Sequence, residues 1–347
     1  MFEDNTVFVI GAGASQEFGL PVGWDLLREI RDNSFFDFSG GPFPTTGNWK
    51  IFNAVHQRYE KDQNKMNKVF RAFGDIHSGV DTAGSIDEFI NRHADDPIIA
   101  EIGKVQIAHA ILKAEAISGL VPLAGREADG INWDNTESTW IAPFARALFD
   151  GVRAKDVETL GNNIAIICFN YDRCIEHYLE YAIQKAYRGV ERKQARQIVK
   201  GMNIIHPYGS LGDISQISFG TPLEHADLYH VTENLITWSE SIEEDTMVRG
   251  IHDAIIESRN LVFMGFAFAN QNMELLNGEI VSEKAYFTDV YSTGLGLTKD
   301  IEFKLKKKIT QLYAPDSTAQ KYHDRIKIMY DVKCARFFKE QLQNFVA

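Results

Sequence analysis

The stretch Thr6-Val7-Phe8-Val9-Ile10 constrains this chain more than any other. It is β-branched and aromatic with no polar face, the pattern of a strand buried on both sides. Such strands belong to parallel sheets covered by helices. A glycine-bearing turn, Gly11-Ala12-Gly13-Ala14-Ser15, follows at once, and residues 23–31 then carry helix-spaced Trp24, Leu27 and Ile30 behind Pro21. The alternation returns later. Residues 164–169, 202–205, 261–266 and 285–290 read as strands, with helices at 173–187, around 248–258, at 299–312 behind a Thr298 cap, and near 335–345. Strands alternating with helices predict an α/β, Rossmann-like, doubly wound and mostly parallel sheet.

Between the first two strands the character changes. A Gly/Pro/Phe loop at 35–48 leads into long periodic stretches at 49–73, 98–117 and 139–152. Ser85-Ile86-Asp87-Glu88 reads as a capping box, in which serine and glutamate satisfy each other's backbone amides. The expected organisation is a core of residues 1–31 and 157–347, with a helical insertion, 32–156, packing over the ligand cleft. Trp133 and Trp140 of that insertion read as core aromatics. Residues 213–245 give only loops around one or two extended segments.

Totals narrow the partners. With 347 residues, 44% hydrophobic and 24% charged, the chain suits one large domain or two. A net charge of -12 argues against direct nucleic-acid binding, which needs clustered cations. The run Lys304, Lys306, Lys307 and Lys308 reads as a solvated helix face. Three cysteines without a CxxC pair build neither a disulfide framework nor a zinc site. Without a cationic leader or a membrane-length apolar run, the expectation is a cytoplasmic protein off the membrane.

Candidate chemistry sits at the strand ends, where doubly wound sheets bind ligands. Gly11 and Gly13 allow close backbone approach to a phosphate at a helix start, but Gln16 stands where a dinucleotide fingerprint wants its third glycine. Alone, such a turn is as well explained by structure or by another nucleotide. In Cys168-Phe169-Asn170-Tyr171-Asp172, the Asn and Asp suit a ribose hydroxyl and a carboxamide, or equally a left-handed turn and a helix cap. His206, in Ile204-Ile205-His206-Pro207-Tyr208-Gly209-Ser210, is a packing residue or a proton acceptor. Gly265 and Phe266 end the strand at 261–266, and Tyr291-Ser292-Thr293-Gly294-Leu295-Gly296 follows the next one.

Taken in order, these segments resemble the sirtuin superfamily. Gly11-Ala12-Gly13-Ala14-Ser15-Gln16-Glu17-Phe18-Gly19-Leu20-Pro21 is similar to its GAGxSxxxGxP opening, and Asn170-Tyr171-Asp172 to its Asn-x-Asp signature. Val22-Gly23-Trp24 replaces the Asp-Phe-Arg of deacylating members, which resembles instead the divergent prokaryotic branch whose members cleave NAD in antiphage defence. The zinc ribbon is absent, and Ala267 lacks the hydroxyl of the family's Gly-Thr-Ser or Gly-Tyr-Ser turn.

The resemblance implies an NAD+ hydrolase that depletes NAD in abortive infection, with NAD+ as substrate and no metal. Asn170 would orient ribose and water, Asp172 the carboxamide, and His206 would act as base. Gly11, Ala12, Gly13, Ser15, Gly209, Ser210, Gly265 and Phe266 would line the dinucleotide. It further implies a homo-oligomer, activated by assembly or by a separate defence-operon partner such as an ATPase or a short Argonaute-type protein. A non-catalytic sensor of NAD or an ADP-ribose derivative, and an ADP-ribosyltransferase, stand as alternatives.

Overall fold

The computed structural model describes residues 1–243, 245–278, 286–314 and 320–347, with backbone alone for 239, 242, 243 and 245. Among the described residues, six strands, β1 (Thr6–Ile10), β2 (Ile164–Cys168), β3 (Ile204–Ile205), β4 (Asn260–Met264), β5 (Asp289–Gly294) and β6 (Ile326–Tyr330), form one sheet. Every pairing is parallel, in the order β3-β2-β1-β4-β5-β6, with helices around the sheet. This is the predicted α/β, Rossmann-like architecture.

Register decides which residues meet. Ile10 of β1 lies level with Cys168 of β2 and Met264 of β4, so Gly11, Phe169 and Gly265 all follow at one edge. Ile205 of β3 is level with Ile167, which sets His206 beside Cys168. Ser292 is level with Phe263, which brings Thr293 to the end of β4.

Two strand expectations are corrected. The fourth predicted strand, 285–290, begins at Ala285, which lies outside the described residues, and β5 runs on to Gly294. Its polar residues belong inside the sheet because their hydroxyls are paired: Ser292 Oγ donates to the Thr293 carbonyl at 2.8 Å, and Thr293 Oγ1 accepts from the Gly265 amide at 2.9 Å. β6 is an addition at the sheet edge, pairing only with β5 and exposing Lys327. Thr298 opens a short 3-10 turn, Lys299–Ile301, without a side-chain cap bond.

The chain divides into two units. The first, Met1–Phe18, Gly119–Pro207 and Ile242–Ala347, contains the whole sheet; the second comprises Gly19–Ser118 and Tyr208–Ser241. Residues 119–156 thus cluster with the sheet, and residues 208–241 with the helices, so these boundaries differ from 32–156. The core of the first unit gathers Phe2, Phe8, Phe144, Phe338 and Phe345, with ring centroids such as Phe2–Phe8 at 5.1 Å and Phe8–Phe144 at 5.2 Å. Each such ring contributes roughly 1.5–3 kcal/mol by leaving water. Trp140 is core as read, its indole N–H donating to the Ala14 carbonyl at 3.0 Å.

The second unit is built on helices Gly23–Asn33, Trp49–Tyr59, Gln63–Gly79, Ile86–Arg92 and Pro97–Ala116. The periodic stretch 49–73 breaks at Asp62, whose carboxylate caps the next helix through the Lys65 amide. Ser85 Oγ accepts from the Glu88 amide at 3.0 Å, but Glu88 reaches the Gly84 amide rather than that of Ser85, so half of the capping box forms. Trp24 is 62% exposed; Leu26, Leu27 and Ile30 form the buried stripe instead. Residues 213–245 resolve into a 3-10 turn, Leu223–His225, and helices Leu228–Thr232 and Trp238–Glu243, with residue 244 outside the described residues. Among the described residues, no helix is long and apolar enough to cross a membrane.

Candidate active site

The loops after β1 and β4 touch backbone to backbone. Gly11 N–H donates to the Met264 carbonyl and Gly13 N–H to the Gly265 carbonyl, both at 3.0 Å. A Cβ on Gly11 would lie 2.5 Å from Gly265 O, and one on Gly265, whose φ is +60°, would lie 2.1 Å from Ala14 N. The close approach that glycine allows here is therefore to the neighbouring loop. Of the amides at the start of helix Ala12–Ser15, those of Gly13 and Ala14 already meet protein carbonyls, Ala14 N–H bonding Gly11 O at 2.9 Å.

Ser15 turns inward from that helix and is 3% exposed. Its hydroxyl accepts from Asn170 Nδ2 at 2.8 Å and donates to the Asp172 carboxylate. Asn170 Nδ2 also donates to Gly11 O at 3.2 Å, so Asn170 ties the loop after β2 to the loop after β1. Its Oδ1 is buried with no hydrogen-bond partner among the described residues. Asp172 accepts at 3.1 Å from the amide of Cys174, the first residue of helix Cys174–Ala186, whose N-cap is Arg173. Burial raises the Asp172 pKa, against the bonds from Cys174 and Ser15.

His206 completes the group. Its Nδ1 lies 3.0 Å from the Asn170 carbonyl oxygen and its Nε2 lies 2.7 Å from Glu176 Oε1. Burial alone would lower its pKa, but the Cys168 sulfur and the Glu176 carboxylate beside the ring hold it well above 6.5. Glu176 is held below the usual carboxylate value because the His206 ring and Arg173 outweigh its burial, and its Oε2 is buried without a partner. The Cys168 thiol is pushed up, first by burial. Ser15, Asn170, Asp172 and His206 thus form one connected network across the ends of β1, β2 and β3.

Other predicted positions fall elsewhere. Phe266, expected against the ligand, is 4% exposed and packs among Phe169, Phe263 and Phe268 at centroid distances of 5.1 to 5.6 Å. Ala12 is half-buried. Gly209 and Ser210 belong to the second unit, where Gly209, with φ +67°, bridges to Leu235, and Ser210 Oγ accepts from the Gly212 amide. Asn270, three residues after Ala267, is exposed and accepts from Lys308 Nζ.

Two site residues escape a sequence reading. Glu176 stands six positions after Asn170, in the first turn of a helix whose apolar stripe points elsewhere, so nothing in the hydrophobic period marks it. Arg173, 1% exposed, adds its positive charge to the surroundings of Glu176. A cavity of about 500 Å³ in the same unit is lined by Glu17, Thr139, Asp331 and Lys333 among others, and by none of the predicted residues. Among the described residues no cluster of three or more His, Cys, Asp or Glu side chains is placed to hold a metal. Compared with known proteins, the chain matches no family model, no curated protein and no solved structure.

Proposed function

We propose that this chain is an NAD+ glycohydrolase of the sirtuin-like kind. The observation that supports this reading is the network just described. Four residues from three strand-end loops, Ser15, Asn170, Asp172 and His206, are joined by hydrogen bonds. The Asn170 Oδ1 and Glu176 Oε2 acceptors beside them are buried and, among the described residues, without a hydrogen-bond donor. Buried acceptors without donors are costly, about 1–3 kcal/mol each, and a ligand carrying hydroxyl or amide donors relieves that cost.

In the reaction, a water oxygen bonds to the anomeric carbon as the nicotinamide C–N bond breaks. The electron pair leaves with nicotinamide, and the water proton passes to a base. Asn170 orients ribose and water, Asp172 holds the carboxamide, and His206 takes the proton. A polar site already ordered around the oxocarbenium-like centre lowers its energy. The biological setting proposed with this reading is NAD depletion in antiphage defence, in the cytoplasm. There the chain acts as a homo-oligomer or with a separate defence-operon partner.

The reading is tested by following NAD loss with wild type, His206→Ala and Asn170→Ala, each with and without the genomic-neighbour protein. Cleavage by wild type in the activated state, and at least a hundredfold less by either variant, is expected. No NAD loss from the activated complex removes the proposal. One observation favours a second reading, a non-catalytic sensor: both His206 nitrogens already face oxygen acceptors. Such a sensor binds NAD or an ADP-ribose derivative with unchanged affinity in the variants and shows no turnover.

A further inference from the structure

Both nitrogens of the His206 ring face oxygen acceptors, the Asn170 carbonyl at 3.0 Å and Glu176 Oε1 at 2.7 Å, and the ring also hydrogen-bonds the Cys168 side chain. A neutral imidazole carries one N–H, so it can satisfy one of these oxygens while turning a lone pair toward the other. An imidazolium satisfies both. We propose that Glu176 is the positioning residue of this site, clamping the His206 ring against the Asn170 carbonyl and selecting its doubly protonated form at rest. The inference rests on the NAD-cleaving reading for its effect on turnover, but not for its effect on the ring.

The groups facing the ring support it. Cys168, at the end of β2, hydrogen-bonds the ring and adds to the hold on its proton, while burial pushes the thiol's own pKa up. From the loop after β2, Asp172 is buried and Arg173 sets a positive charge near Glu176, which keeps that carboxyl ionised. Glu176 itself comes from helix Cys174–Ala186, and its second oxygen makes no competing bond. A carboxylate with one oxygen on an imidazole and the other unpaired favours the charged ring.

The sign follows. A histidine whose pKa is raised holds its proton to higher pH, and a base must first lose it. Turnover that uses His206 as base therefore rises with pH along a limb above 6.5, the ordinary imidazole value. Replacing Glu176 with glutamine keeps the shape, removes the charge and moves that limb acidward.

The test is to titrate the His206 ring by nitrogen-15 NMR in the full chain, for wild type, Glu176→Gln and Glu176→Asp, without any NAD present. The pH dependence of NAD cleavage is then measured on the same proteins in the activated state. A wild-type midpoint above 6.5, lowered by one pH unit or more in Glu176→Gln and partly restored in Glu176→Asp, is the expected result. An unchanged or raised midpoint in Glu176→Gln overturns the proposal. Should that variant fail to fold by circular dichroism, the wild type decides, because a midpoint at or below 6.5 overturns it equally. A shifted ring titration with no NAD loss leaves the role of Glu176 standing and removes the hydrolase reading. NAD cleavage whose acid limb stays unmoved while the ring titration shifts removes the effect of Glu176 on turnover and leaves its hold on the ring standing.

Discussion

Gly265→Ala tests whether contact between the loops after β1 and β4 holds the site together. At φ +60° a side chain costs about 1–2 kcal/mol relative to glycine. The added Cβ would sit 2.1 Å from Ala14 N and 2.4 Å from Gly13 C, both backbone atoms, so the loops must part. Parting them strains or breaks two bonds, Gly13 N–H to Gly265 O and Gly265 N–H to Thr293 Oγ1, at about 0.5–1.5 kcal/mol each. The expected loss is therefore about 2–5 kcal/mol. Gly151→Ala is the matched control. It has φ +74° in the same unit with nothing within 4 Å of its Cβ, and should lose only about 1–2 kcal/mol. Denaturant unfolding gives both numbers. Hydrogen exchange at the Gly13 amide adds a local reading, because opening the loop contact releases that N–H. Equal losses in the two variants, or a Gly13 amide as protected as in wild type, would refute the claim that backbone proximity is what these glycines are for.

Phe266→Ala should destabilise the first unit by about 3–5 kcal/mol in chemical denaturation, as expected of a core ring, while leaving the KM for NAD within about twofold. A large KM change with intact stability would restore it as a ligand contact. Ser15→Ala removes the hydroxyl between Asn170 and Asp172 and should cost about 1–3 kcal/mol. It should also lower kcat more than it raises KM, read from steady-state cleavage. His109 is buried among Asn33, Asn48, Lys50 and Lys113, and its pKa falls to about 4, chiefly through burial. The unfolded chain binds this proton near 6.5 and the folded chain does not. The stability it contributes is thus full above 6.5 and is lost as pH falls toward 4, by up to about 3 kcal/mol. His177, held at about 3, titrates in an overlapping range, so the difference between wild type and His109→Gln unfolding profiles isolates the effect.

What the sequence made legible is what burial writes into periodicity. β1, β2 and β4 are buried along their whole length, and each reads from the sequence as an apolar run, behind Thr6 in β1 and Asn260 in β4. β5 read poorly because Ser292, Thr293 and Gly294 carry the residue types of a turn. Their tolerance inside a sheet depends on paired hydroxyls, Ser292 with the adjacent Thr293 carbonyl and Thr293 with the Gly265 amide of another loop, and the latter partner is encoded by no local pattern. β6 lies at an edge and alternates only partly, so half of its signal is missing. Trp24 failed for the opposite reason: helical spacing says which residues share a face, and not whether that face is covered.

The site follows the same division. Parallel strands deliver their loops to one edge, so Gly11, Asn170, His206 and Gly265 could be placed from the order of strands alone. What each residue does there depends on neighbours that strand order does not name. The two loop glycines face each other, so the residue type that suggested a phosphate cradle is equally demanded by loop contact. His206 looked like a base because it stood at a strand end, yet its proton is held by Cys168 and by Glu176, the latter thirty residues earlier and outside every motif. A carboxylate 2.7 Å from an imidazole turns a proton acceptor into a held proton, which a rise in pH frees. If the chain cleaves NAD, the pair formed by Glu176 and His206, rather than the histidine alone, is where its resting silence should be sought.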